Sequence, residues 1–201
     1  MAARGGRIMA GAGHYTKKGL YNNYDKKHKE RDKFDYYSTP PNEVLNILHT
    51  YKPDFTSDIV LEPCAGEGHM ASAIWKYIKE NNFNNSTLIC TEFQERENKF
   101  KNEINIVYGE EFDFLSDDYL IPENRIDWII MNPPYATIEP FMIRALDIAQ
   151  KGVIMLGRIQ ILEGQGRFEN VFQKHTPTDI YVYVDRIQCW KNGEKPTSSS
   201  S

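Results

Sequence analysis

Cysteine is scarce in this chain of 201 residues: Cys64, Cys90 and Cys189 stand far apart, odd in number and at no metal-ligand spacing. That argues against a disulfide framework and against any bound metal, and it points to a reducing compartment, the cytoplasm. Long apolar runs are missing as well. No stretch is long enough to cross a bilayer, and the start carries no apolar signal-peptide core, so neither a membrane partner nor a secretory leader is expected. The main glycine loop lacks the third glycine of the dinucleotide fingerprint, which argues against NAD.

What is present is divided unevenly. Residues 1–33 hold nine Lys and Arg against three acids, so the rest of the chain carries fifteen basic against twenty-five acidic residues. A basic arm with Gly and Tyr on an acidic body suits a segment that tracks phosphates, and it fits a solvated leader equally well. The organisation read from composition is a flexible basic arm over 1–35, one α/β domain over 36–190 and a disordered serine-ended tail over 191–201.

Within the domain, apolar runs alternate with helical periods. Order begins at Tyr36-Tyr37-Ser38-Thr39-Pro40-Pro41, where Ser38 or Thr39 can cap a helix carrying Val44, Ile47, Leu48 and Tyr51 at helical spacing. Strands are expected at 58–61, 86–90, 104–108, 126–131, 152–156 and 179–184, with helices after the first, fourth and fifth. This describes a doubly wound, mostly parallel sheet, with no sequence for a last antiparallel strand. An incomplete sheet or a truncated chain is therefore the expectation there.

Two loops carry the chemistry. After the first strand, Glu62-Pro63-Cys64-Ala65-Gly66-Glu67-Gly68 leads into a helix, so backbone amides and a helix N-terminus meet a polar ligand where Gly66 and Gly68 leave room. Glu62 beside that cradle would repel a pyrophosphate and attract an α-ammonium group, which favours S-adenosylmethionine over NAD or ATP. Glu92, at the end of the second strand, is at the right remove to accept from ribose hydroxyls. After the fourth strand comes Asn132-Pro133-Pro134-Tyr135. The prolines end the strand, and an amide and a ring on a rigid turn suit a flat, amine-bearing group.

Asn-Pro-Pro-Tyr at a strand end resembles the catalytic motif of the S-adenosylmethionine-dependent amino-methyltransferases. The Glu-Pro-x-x-Gly-x-Gly loop resembles their cofactor loop, and together the likeness spans about residues 36–185. The motif order is similar to that of DNA adenine-N6 methyltransferases, small phage and restriction-modification enzymes included. The resemblance implies a Rossmann-like class I methyltransferase fold and a bacterial or phage-infected cytoplasm. It implies cofactor contacts from Thr39 and Pro40 at the methionine end, from the loop Cys64, Ala65, Gly66 and Gly68, from Phe93 on one face of the adenine, and from Asp113 and Phe114 beside its amine. Glu110 and Glu111 lie close enough to Asp113 to blur that last register.

It further implies that Asn132 and the Pro133 carbonyl accept the target's amine protons, with Pro134 fixing the turn and Tyr135 stacking on the base. DNA is the expected partner. Large members carry a target-recognition domain after the sixth strand and this chain does not, so specificity falls to the arm, a second subunit of a homodimer or another partner. The loop over 157–168, with Arg158 and Arg167, is a candidate for the target's backbone. Adenine in RNA and glutamine in a protein remain open as substrates, as does an inactive nucleic-acid-binding copy.

Overall fold

The computed structural model describes residues 36–119 and 125–195; the arm assigned to 1–35 and the final serines lie outside the described residues. In chain order the elements are β1 (Tyr37–Ser38), α1 (Pro41–Tyr51), β2 (Ile59–Glu62), α2 (His69–Glu80), β3 (Thr87–Glu92), β4 (Val107–Tyr108) and β5 (Trp128–Met131). There follow α3 (Ile138–Ile148), β6 (Gly152–Met155), a short helical run α4 (Gln165–Arg167) continued by a π-turn over Phe168–Phe172, and β7 (Trp190–Lys191).

Five strands form one parallel sheet in the order β4-β3-β2-β5-β6. The chain therefore moves outward from β2 through β3 to β4, then returns to the other side of β2 for β5 and β6. This is an α/β, Rossmann-like arrangement, and its topological switch point lies between β2 and β5. Strand alternation decides which side chains meet which helix layer. Val60 and Ile130 face a cluster with Val44, Leu48, Ile74 and Tyr77 from α1 and α2. Leu61, Ile129 and Met131 face the opposite cluster, with Phe114, Phe141, Ala145 and Ile148. Each central strand is thus apolar on both faces, as a strand covered on both sides must be.

Local signals place the helices. Pro41 occupies the first turn of α1, and Lys52 ends it in a left-handed conformation (φ 56°) with its N–H on Leu48 O at 2.8 Å. The N-cap is Pro40, with no side-chain cap; neither Ser38 nor Thr39 fills that role, and Thr39 is instead drawn to the site described below. At the amino edge of the sheet, buried Asp58 accepts from Trp128 Nε1 at 2.9 Å and pairs with Lys151, while Asp127 Oδ2 accepts from Ile59 N at 2.9 Å. These bonds fix β2, β5 and the start of β6 in register.

Two expectations fail. The sixth strand over 179–184 does not form: Tyr181 meets Tyr51 edge-on at 6.3 Å and the Tyr183 hydroxyl donates to Glu43 O at 2.6 Å. That segment lies on α1 instead of beside β6, and its β-prone alternation goes unused because no strand among the described residues pairs with it. The disordered tail assigned from Lys191 onward does not begin there either. Trp190–Lys191 pairs antiparallel with Tyr37–Ser38 in a separate two-stranded sheet, and Asn192 N donates to Tyr36 O at 3.0 Å. The third strand is also shorter than its apolar run, because Ile104 and Ile106 are buried before the ladder starts at Val107.

Candidate functional site

Parallel strands end on one edge, so the loops after neighbouring β2 and β5 open side by side. A narrow cleft at that point is lined by residues 36–39 from one side, by Glu62, Cys64, Ala65, His69 and Met70 from the β2 loop and α2, and by Asn132 after β5. The glycine loop and the Asn-Pro-Pro-Tyr turn, seventy residues apart in sequence, are brought together here.

On the β2 side, Gly66 (φ 55°) and Gly68 (φ 94°) turn the chain through left-handed conformations into α2. Glu62 is 2% exposed, and its Oε2 is buried without a hydrogen-bond partner. Burial, and after it the Glu92 carboxylate, push the Glu62 carboxyl well above the ordinary carboxylate range. Cys64 next to it behaves as a thiol: burial first, then Glu62 and Glu92, raise it against a backbone hydrogen bond from Asn132. That bond also records how close the two loops lie. Glu92 closes the cradle from β3, taking Gly66 N–H on Oε2 at 2.9 Å and Gln94 N–H on Oε1 at 3.0 Å.

On the β5 side, Asn132 Nδ2 donates to Thr39 Oγ1 at 2.9 Å, which leaves Oδ1 as the acceptor of that amide. Thr39 therefore orients Asn132. Pro134 O accepts twice from Thr137, from N at 3.0 Å and Oγ1 at 3.1 Å, locking the turn that carries Tyr135 into α3. The Arg158 guanidinium lies over the Tyr135 ring, 4.4 Å from its centre. Arg167, in contrast, is consumed by its own loop, donating to Gln160 O, Ile161 O and Glu163 O at 3.0, 2.9 and 2.9 Å. Of these two arginines, it is Arg158 that stands beside the site.

The remaining sequence candidates divide. Pro40 and Pro133 are part of the framework, a helix cap and a buried turn residue, while Ala65 both lines the cleft and ties its amide to Thr91 O. Phe93 is 38% exposed just past β3. Asp113 Oδ1 accepts from Leu115 N at 3.0 Å, turning its own loop, and Phe114 is 1% exposed within the core against Phe141 and Tyr119. The structure does not bring Phe114 to the cleft.

Sequence reasoning missed Tyr36, Arg96, Tyr108 and Trp190, all of which bear on the cradle. Glu67 N–H donates to the Tyr36 phenol at 3.0 Å, Arg96 covers the Tyr36 ring at 4.2 Å, and the Tyr108 hydroxyl donates to Gly66 O at 3.1 Å. Burial raises the phenols of Tyr36 and Tyr108, the latter to about 12. Trp190 sits edge-on to buried His69, whose imidazole burial keeps below its ordinary range. The one available signal was the tyrosine pair directly before Ser38-Thr39-Pro40. Among the described residues no cluster of His, Cys, Asp or Glu could hold a metal ion, and no helix is long and apolar enough to cross a membrane.

No protein-family model matches the chain, and no curated protein matches it. Among solved structures it is similar to a modification subunit assigned to a type I restriction enzyme from Vibrio vulnificus YJ016, at 14% identity and a TM-score of 0.35. The alignment covers 59% of this chain and 28% of that one, so the chain spans less than a third of that subunit's length.

Proposed function

We propose that this protein transfers a methyl group from S-adenosylmethionine to the exocyclic amino group of adenine in DNA. The observation that carries the reading is the unpartnered, buried Glu62 Oε2 in the same cleft as Asn132, whose amide Thr39 orients. A buried carboxylate oxygen without a donor is costly unless a ligand supplies one, and an α-ammonium group brings both the donor and the charge. Glu62 thus fits the amino-acid end of the cofactor. The backbone around Gly66 and Gly68 suits the body of the ligand, and Glu92 the ribose; Phe93 and Asp113 are placed on the adenine side by resemblance alone.

When bound, S-adenosylmethionine supplies a methyl group activated on a sulfonium, and the rest of the task is the chain's. An adenine amine is a poor nucleophile because its lone pair is delocalised into the ring. Asn132 Oδ1 and the Pro133 carbonyl accept hydrogen bonds from its two N–H groups, draw the nitrogen toward a tetrahedral shape and localise that pair for in-line attack; the sulfonium carbon–sulfur bond breaks as the N–C bond forms, and one amine proton is then lost to solvent. The Tyr135 ring stacks on the base and favours the positive charge that develops on it. A base in a duplex must first be flipped out, at a cost of a few kcal/mol.

Tritiated methyl transfer to DNA, RNA and protein tests this directly. The expected result is label on adenine in DNA, at least about 100-fold less with Asn132→Ala, the size typical of a lost transition-state acceptor. S-adenosylhomocysteine should still bind that variant in calorimetry. Label found only on protein overturns the substrate. Equal labelling by the variant overturns the role of Asn132.

A further inference from the structure

The amides of the glycine loop are the groups that a polar ligand meets first, and four in a row are already taken. Ala65 N–H donates to Thr91 O at 3.0 Å, Gly66 N–H to Glu92 Oε2 at 2.9 Å and Gly68 N–H to Ala65 O at 2.8 Å. Those acceptors belong to β3 and to the loop itself, so the sheet fixes them. The Glu67 amide is different. Its acceptor is the phenol oxygen of Tyr36, thirty-one residues upstream and 3.0 Å away. The Tyr36 ring lies against Gly66, where any Cβ would run into it, and Arg96 covers its face.

Tyr36 is in turn held by the far end of the chain. Its carbonyl accepts from Asn192 N at 3.0 Å, directly beside the antiparallel pairing of β1 with β7. Lys99 ties this clasp to the cradle, with Nζ 2.7 Å from Glu67 Oε2 and 3.3 Å from Gly193 O. Gly193 (φ 73°) packs so closely on the Glu67 carboxylate that a side chain there would collide with it. The Trp190 ring stands 5.2 Å from that of His69, the first residue of α2. A two-stranded clasp made from both ends of the described chain thus presses on the glycine loop.

We propose that Tyr36 is a gate over the cofactor cradle: its phenol occupies the Glu67 amide in place of a ligand oxygen, and the ring leaves on the β1–β7 clasp when the cofactor binds. This rests on the S-adenosylmethionine reading above. The exchange is chemically reasonable because an ionised ligand carboxylate is a stronger acceptor than a neutral phenol. Without ligand, the phenol keeps a loop amide satisfied that would otherwise lie open in the cradle.

Calorimetry with S-adenosylhomocysteine on the full chain, together with hydrogen exchange at the Glu67 amide, tests the gate. Tyr36→Ala should bind about 5- to 10-fold more tightly, because a closed state worth roughly one hydrogen bond no longer competes. Tyr36→Phe keeps the ring but not the acceptor, and should show a smaller gain in affinity and faster Glu67 exchange in the ligand-free protein. Should Tyr36→Ala fail to fold by circular dichroism, Tyr36→Phe carries the test alone. Equal or weaker binding by the variants makes Tyr36 a fixed wall and overturns the gate, as does unchanged Glu67 protection in Tyr36→Phe. Absence of binding by wild type and variants alike sinks the cofactor reading, and the gate with it.

Discussion

Glu62 shows how one residue links the fold to its chemistry. It completes β2, yet the strand delivers its carboxyl into a buried place with one oxygen unpartnered. A carboxyl whose folded pKa lies above its unfolded value of about 4.5 costs nothing below that pH, where both states are protonated. As pH rises from there through the folded value, it opposes folding increasingly. Glu62→Gln is therefore expected to melt higher than wild type at pH 8, with the gap closing toward pH 4.5; thermal melts across that range measure it, and a pH-independent gap would refute it. On the proposed reading the same variant loses the charge that draws an ammonium group, so S-adenosylhomocysteine should bind it more weakly. The positions of Glu62, Gly66, Gly68 and Asn132 on one edge of the sheet were legible in the sequence, because each stands at or just past the end of an apolar run that glycine or proline closes. Phe114 was not: an Asp-Phe pair reads the same whether its ring meets a ligand or, as here, the core.

The elements follow from periodicity where both partners of a contact are strong. Trp128 in β5 lies opposite Gly152 in β6, and its indole is tied to Asp58. A Cβ on Gly152 would lie 2.5 Å from Trp128 Cζ3, so the small residue is what lets β6 approach. Gly152→Ala should therefore destabilise by about 1–3 kcal/mol, the usual range for overpacking. At about 2–4 °C per kcal/mol for a chain of this size, calorimetric melting should show it. An unchanged melting temperature would mean that the Trp128 side chain gives way freely. The absent sixth strand teaches the converse. Asp179–Val184 has the alternation of a strand, but a strand exists only by pairing, and these residues lie on α1 with Val182 and Val184 68% and 102% exposed.

At the scale of the molecule, charge is split between an acidic body and basic first thirty-three residues, and on the proposed reading that split sets how DNA is met. Each phosphate neutralised adds about 0.9 to the slope of log affinity against log salt. Deleting residues 1–33 should weaken DNA binding and, if three of the nine basic side chains reach phosphates, lower that slope by about 2.7. Titrations at several salt concentrations measure this, and an unchanged slope would make the arm a passive leader. Local pattern was enough for the alternation of strands and helices from β2 to β6 and for the residue types at the two loops, because hydrophobic period and glycine or proline punctuation are local properties. Long-range packing is what brings Thr39 to orient Asn132, lays Arg158 on Tyr135, and carries Tyr36 to the Glu67 amide under a clasp closed by Trp190–Lys191. Those contacts join residues 23 to 154 positions apart, and no local pattern records which distant partner will fill a hydrogen bond once the sheet has closed.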